Sequence, residues 1–295
     1  MNKEDQFKKN KEGKVPEAKK RMPSPRYLLL GAALWALAVI FLVPIYYMVI
    51  STFKDAQSIT TAPFALPKSL NFAKYVTAWI KMHYPRVFMN TFLITALSVI
   101  GAIFLASIAA YSIARYKSRF NKLVFFLVLS GMMIPGQVNL VSLYSLVRKL
   151  GLMDNIFGMV VINAGGCTLM PLFLMKSFIS TTIPIELEEA AKIDGCNLFQ
   201  TFFKVVLPLL GPITATCAII LTLSIWNDYL NPMLFLQSRE NATILLEVNR
   251  NIGQFTVDWS EMFPMLVLGI APLSIFYLLM QKNIISGAIT GAIKG

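Results

Sequence analysis

The sequence predicts an all-α integral membrane protein with six transmembrane helices, and three observations lead there. Of its 295 residues 56% are hydrophobic and 14% charged, where ordinary soluble domains have roughly 45–50% and about 25%. Six apolar stretches are long enough to cross a hydrocarbon layer of about 30 Å, for which about 20 residues are needed. The basic residues are also unevenly spread, so that alternate connections between these stretches are rich and poor in Lys and Arg.

Residues 1–26 form a basic amino-terminal arm whose lysines are interspersed with Glu4, Asp5, Glu12 and Glu17. That mixture reads as a solvated arm, with no nucleic acid as partner. The first span, 27–50, is about 24 residues, too long for the 7–15-residue apolar core of a secretory signal, and is expected to stay as an anchor. An outer loop, 51–90, leads to a second span at 91–114. The third, 123–146, is interrupted by Pro135, Gly136 and Gln137, and the fourth, 156–178, by Asn163, Gly165 and Gly166. Such interruptions are tolerated where protein or a watery cavity re-satisfies the backbone, so each is either a kink in a packed helix or a break lining a solute path.

Residues 180–212 return a polar segment. Pro184 can open a helix because its missing N–H would be unpaired there, and Glu186, Glu188 and Glu189 follow where the helix dipole favours negative charge. A short helix is expected over 184–193, then a turn at Gly195, with Asn197 capping a second helix. Leu198, Phe199, Phe202, Phe203 and Val206 give that second helix one apolar face, which Pro208 ends or kinks. The fifth span, 212–235, contains Trp226-Asn227-Asp228-Tyr229. An acid at depth costs roughly 2.5–3.5 kcal/mol on insertion scales. Asp228 therefore lies near the interface, faces a cavity or is paired, or it ends the helix between interfacial Trp226 and Tyr229. A second outer loop, 236–261, precedes the sixth span, 262–281, which completes a transmembrane domain over 27–281; residues 282–295 form a carboxyl-terminal tail.

Orientation follows from the cations. The arm carries nine Lys and Arg, the 115–122 loop four (Arg115, Lys117, Arg119, Lys122), the polar segment and its approach three (Lys176, Lys192, Lys204) and the tail two (Lys282, Lys294). These make 18 of the 27 and leave nine opposite. The richer side, with both termini, is expected to be cytoplasmic, where anionic lipid attracts basic segments and absorbs the net charge of +12.

Enzyme chemistry is nearly excluded. One histidine, His83, leaves no paired-His zinc site, and no GxxxxGK[ST] loop occurs to hold nucleotide phosphates. Cys167, Cys196 and Cys217 lack metal-like spacing and read as small packing residues. No cofactor is expected in this chain.

Glu189-Ala190-Ala191, then Asp194-Gly195, then Leu207-Pro208 resembles the EAA signature of the membrane subunits of ATP-binding-cassette importers, with the type I importer permease fold. Val205 stands where that pattern often has isoleucine, and Cys196 where a small residue is common. Trp226-Asn227-Asp228, Asn90-Thr91, the Met133–Gln137 stretch and the glycine tail resemble the carbohydrate, maltose-type branch. The resemblance covers the chain from about Tyr27 to its end. It implies a carbohydrate importer subunit forming half of a translocation path in the bacterial cytoplasmic membrane. Its implied partners are a second, homologous permease in a heterodimer, two cytoplasmic ATPases that bind the ATP and Mg, an extracytoplasmic solute-binding protein, and membrane lipids.

On this resemblance Glu189 contacts the ATPase, Ala190 and Ala191 let a coupling helix seat in its groove, Gly195 sets the bend, and Leu207-Pro208 return the chain to the membrane. Gly287, Gly291 and Lys294 belong to a tail that reaches the ATPases, its glycines allowing close backbone approach. Gln137, Asn163, Trp226, Asn227 and Asp228 are candidate path-lining residues. Asn251, Gln254 and Trp259 mark a candidate binding-protein contact in the second outer loop, for which simple helix connection is the alternative. An amino-acid, peptide or polyol phosphate permease is the alternative within the family. A secondary transporter would need intramembrane acids, of which Asp228 is the one candidate.

Overall fold

The computed structural model describes residues 25–251 and 258–292, with side chains up to Gln281. It separates into two compact units, residues 1–47 and 48–295. In the first lies most of α1, Pro25–Ser51, which contains Pro44.

The second unit is built around α4, Tyr84–Arg115. This helix begins two turns before the expected 91, because Pro85 in its first turn is a start signal that hydropathy does not register. Along it Ala102, Ala106 and Ala110 are wholly buried. Spaced by four, they form a small-residue stripe that lets neighbouring backbones approach. At Gly101 an added Cβ would lie 3.2 Å from Cβ of Ala164. The helices packed most extensively against α4 are α7 (Ile156–Gly166), α8 (Leu169–Thr182) and α12 (Gly211–Trp226).

The expected third span does not run straight from 123 to 146. Helix α5, Arg119–Met133, stops before Ile134, which is extended at φ −87° and ψ 121°. A residue preceding proline is pushed out of helical geometry, and Pro135 has no N–H to continue the ladder. A 3₁₀ turn, Gly136–Asn139, and α6, Leu140–Lys149, then leave at 96° to α5. The fourth span is likewise two helices, α7 and α8, meeting at 44°. Its break falls at Cys167-Thr168, where Pro171 cannot donate to the Cys167 carbonyl. The ordinary ladder lasts to the Cys167 N–H, which donates to the Asn163 carbonyl at 2.8 Å; the Thr168 N–H turns to the Gly165 carbonyl, and the Thr168 hydroxyl takes up the Ala164 carbonyl thus freed.

The fifth span is shorter than expected. Helix α12 ends at Trp226, and after a turn through Asn227–Tyr229 a separate α13, Leu230–Phe235, carries the rest. Among the described residues three helices are each long and apolar enough to cross a membrane, or up to six spans if each bent pair counts as one. The two expected outer loops are partly helical: α2 (Ala56–Thr61) and α3 (Ala73–Lys81) in 51–90, α14 (Ile244–Arg250) in 236–261. The last helix, α15, runs Trp259–Ala292, so the expected tail from 282 continues a helix as far as it is described. Glycine costs only about 1 kcal/mol in a helix interior, too little at Gly287 and Gly291 to stop a long one. At about 1.5 Å per residue its 34 residues reach about 51 Å, longer than the hydrocarbon is thick.

Candidate functional site

The segment between α8 and α12 folds much as its local signals require. Helix α9 is Glu186–Ile193, two residues later than Pro184 suggested. It ends in a Schellman turn: the Cys196 N–H donates to the Ala191 carbonyl at 2.9 Å, the Gly195 N–H to that of Lys192 at 3.0 Å, and Gly195 takes φ +84°. Asn197 then caps α10, Leu198–Thr201, in a full capping box with Gln200, both bonds 2.9 Å.

The next turn, Phe202–Val206, is π-helical and passes into α11, Leu207–Leu209. Pro208 cannot bond the carbonyl four residues back, and a widened turn absorbs that missing donor. The Leu198–Leu209 rod then meets α12 at 71°.

Helix α9 presents two unlike faces. Glu189, Ala190, Asp194 and Gly195 are exposed, with Ile193 88% exposed at its end and Phe199 72% exposed beyond the turn. Ala191, expected beside Ala190 on one seat, is buried at 6% and faces this chain. Pro208 is exposed and Leu207 half-buried.

The inward face also holds Glu188, a residue that sequence reasoning passed over. It is 4% exposed; the Arg115 Nε donates to its Oε1 at 2.6 Å and the Tyr111 hydroxyl to its Oε2 at 2.8 Å. Arg115 also donates to the Ile183 carbonyl at 2.7 Å. Nothing local marks this, since the partners are more than 70 residues apart; an acid third in a helix already satisfied the dipole rule.

The candidate path residues divide into two places. Gln137 and Asn163 line one cavity of about 500 Å³, joined by Asn231, which had not been singled out. Asn163 is 5% exposed, and its amide nitrogen has no hydrogen-bond partner within the chain. Asp228 stands next to this cavity's Leu230 and Asn231; its carboxylate accepts from the Asn231 backbone at 3.2 Å and side chain at 2.7 Å, so it is paired as well as ending the helix turn. Trp226 is 7% exposed and packs edge-on to Phe88, in a separate apolar cavity of about 310 Å³ with Thr95 and Pro272. Asn227 is exposed and bonds the Leu223 carbonyl.

Asn251 lines a third cavity of about 460 Å³, with Lys81, His83, Arg239, Asp258 and Glu261. Glu247 anchors its wall: fully buried, it accepts from Arg239 Nε at 2.8 Å and from the Asn251 amide. Lys81 and Glu261 close an ion pair across it. Hydrogen bonds from Ser260 hold the Asp258 carboxyl below the usual carboxylate range. Trp259 is 48% exposed beside Phe263, while Gln254 lies outside the described residues, as does Lys294 of the tail. Among the described residues no cluster of His, Cys, Asp or Glu could hold a metal ion.

Residues 99–290 match the family of binding-protein-dependent transport system inner membrane components. The chain is 34% identical to the melibiose/raffinose/stachyose import permease protein MelC of Bacillus subtilis, over 93% of this chain and 99% of that one. It is 33% identical to the multiple sugar-binding transport system permease protein MsmG of Streptococcus mutans, over 91% and 96%. Among solved structures, one chain of a bacterial ABC transporter involved in the import of the acidic polysaccharide alginate superposes with a TM-score of 0.77 at 24% identity, covering 89% of this chain and 99% of that one.

Proposed function

Because the chain belongs to the family of binding-protein-dependent transport system inner membrane components, we propose that it works as the permease subunit of an ATP-driven carbohydrate importer, with α9 as the coupling helix. The observation that supports the coupling role is the exposed face of Glu189, Ala190 and Asp194 on a short helix held by a rigid turn. The sequence has no phosphate loop of its own. On this reading the ATPase is a separate chain, and this face is where it docks. Two such ATPases and a second, similar permease complete the importer.

Orientation follows the cations, with both termini and α9 cytoplasmic. ATP-driven closure of the ATPases carries α9 with it as a lever, and the spans rock between inward- and outward-facing states. Gly287 and Gly291, at the far end of α15, extend toward the same ATPases.

The cavity of Gln137, Asn163 and Asn231 is the subunit's share of the path. Neutral amides donate and accept without fixing a charge, which suits a polyhydroxyl solute, and the unpartnered Asn163 nitrogen is a donor awaiting one. The cavity at Lys81, Arg239 and Asn251 opens on the outer side, where a solute-loaded binding protein docks.

Reconstitution in liposomes with the ATPase, the second permease and the binding protein tests this. Solute uptake should require ATP and no ion gradient, and Glu189→Lys or Gly195→Pro should leave ATP hydrolysis running while uptake stops. Uptake driven by an ion gradient without the ATPase, or coupled transport unchanged in both variants, would sink the reading.

A further inference from the structure

Helix α9 is attached to the bundle by few directional contacts. Among the described residues, the hydrogen bonds joining α9 side chains to the membrane helices all converge on Glu188. We propose that Glu188 is the positioning residue that transmits movement of α9 into the membrane, as a buried strut to α4 through Arg115 and Tyr111.

Three features make this a strut. The guanidinium is held at two points, Nε on the carboxylate and Nη2 on the Ile183 carbonyl, so the chain entering α9 and α9 itself are gripped by one rigid fork. The Arg115 and Glu188 side chains are only 11% and 5% exposed, which spares the pair the screening that weakens surface ion pairs. Tyr111 fixes the second carboxylate oxygen while its ring lies 5.3 Å from that of Phe202, in the π-helical turn after α10. The α9–α10 hinge, turning at Gly195, therefore meets α4 at one place from both its sides, α9 and the Phe202–Val206 turn.

Helix α4 then continues outward to Gly101, whose backbone abuts Ala164, the residue after Asn163. A shift of α9 can thus reach the wall of the amide-lined cavity through one continuous helix. Apolar contacts alone would let α9 slide, since they set no direction; a buried ion pair has one geometry and moves as a body.

This rests on α9 being the coupling helix. The test uses the full importer in liposomes with solute-loaded binding protein, measuring uptake and ATP hydrolysis per assembled complex. Glu188→Gln keeps the shape and removes the charge. Arg115→Met with Glu188→Met removes both charges together, so that neither is left buried and unpaired. Tyr111→Phe, which keeps the ring, is the mildest change.

Solute moved per ATP should fall about tenfold in the first two, within the range that couplings between sites span, and in the same direction but less in Tyr111→Phe. Hydrolysis per assembled complex should persist. A merely fold-supporting pair predicts otherwise: the double variant would recover wild-type uptake per ATP, or uptake and hydrolysis would fall in proportion in every variant. Either result overturns the strut. Glu189→Lys separates the two ideas. Uncoupling there with normal coupling in the double variant rejects only the strut, whereas unchanged coupling in both Glu189→Lys and Gly195→Pro rejects the coupling helix itself.

Discussion

Gly158 sits in the first turn of α7, where an added Cβ would lie 2.2 Å from the Leu152 carbonyl oxygen. The obstacle is backbone, which cannot rotate away as a side chain could. Gly158→Ala should therefore cost about 3 kcal/mol, the upper end of overpacking penalties, and lower the midpoint of thermal unfolding in detergent; an unchanged midpoint would show that the 150–158 turn has room to yield. Asp154, four residues earlier, holds φ 51°, and its carboxylate accepts from the Ser238 N–H and hydroxyl at 3.0 and 2.9 Å and from the Asn241 amide. Burial alone would raise its pKa, but these hydrogen bonds outweigh it and hold the carboxyl below the usual carboxylate range. A depressed native pKa stabilises fully above the unfolded value of about 3.9 and ceases to do so as pH falls through the native one. Melting of wild type and Asp154→Asn should accordingly differ at pH 7 and converge below about pH 4; a gap that stays constant with pH would mean the carboxylate's charge is not what binds the loop. Neither residue was visible in the sequence. Gly158 looks like any glycine in an apolar helix, and Asp154 meets partners more than 80 residues away.

Elements with self-contained signals were the readable ones. Pro184, three early glutamates, Gly195 and Asn197 each act on their own turn, so α9, its Schellman end and the start of α10 could be placed to within two residues. Hydropathy, by contrast, is blind to direction. A window across 123–146 is equally apolar whether the chain crosses straight or bends by 96° after Met133, and only Pro135 hinted at the bend. The same blindness hid how far α15 runs past Gln281, because a helix leaving the membrane keeps its hydrogen bonds without needing apolar side chains. The cap on α10 offers a measurement at this scale. Asn197→Ala removes the acceptor for the Gln200 N–H and should cost about 1 kcal/mol. Hydrogen exchange of a peptide covering residues 198–203 should then quicken about fivefold, the factor to which 1 kcal/mol corresponds; exchange as slow as in wild type would mean that packing of Phe202 and Val206 alone holds the hinge.

Across the whole molecule, the cations and the hinge have to agree about sides. Nine of the 27 Lys and Arg fall outside the basic set, and among them Lys81, Arg239 and Arg250 gather around the outer-loop helices. Arg115 and Lys192 belong to the other set, at the end of the bundle that carries α9. Cys196, half-exposed in the turn after α9, reports on this directly, because Cys217 is buried and Cys167 can be replaced by Ala. A membrane-impermeant maleimide should label Cys196 in inside-out vesicles and leave it untouched in right-side-out vesicles, both prepared without the ATPase so that nothing covers the turn. If labelling proceeds instead from right-side-out vesicles, the charge-derived orientation is inverted, and Glu189 and the outer charged cavity would exchange their assigned partners. The experiment thus tests in one readout the premise on which every assignment of a partner to a face depends.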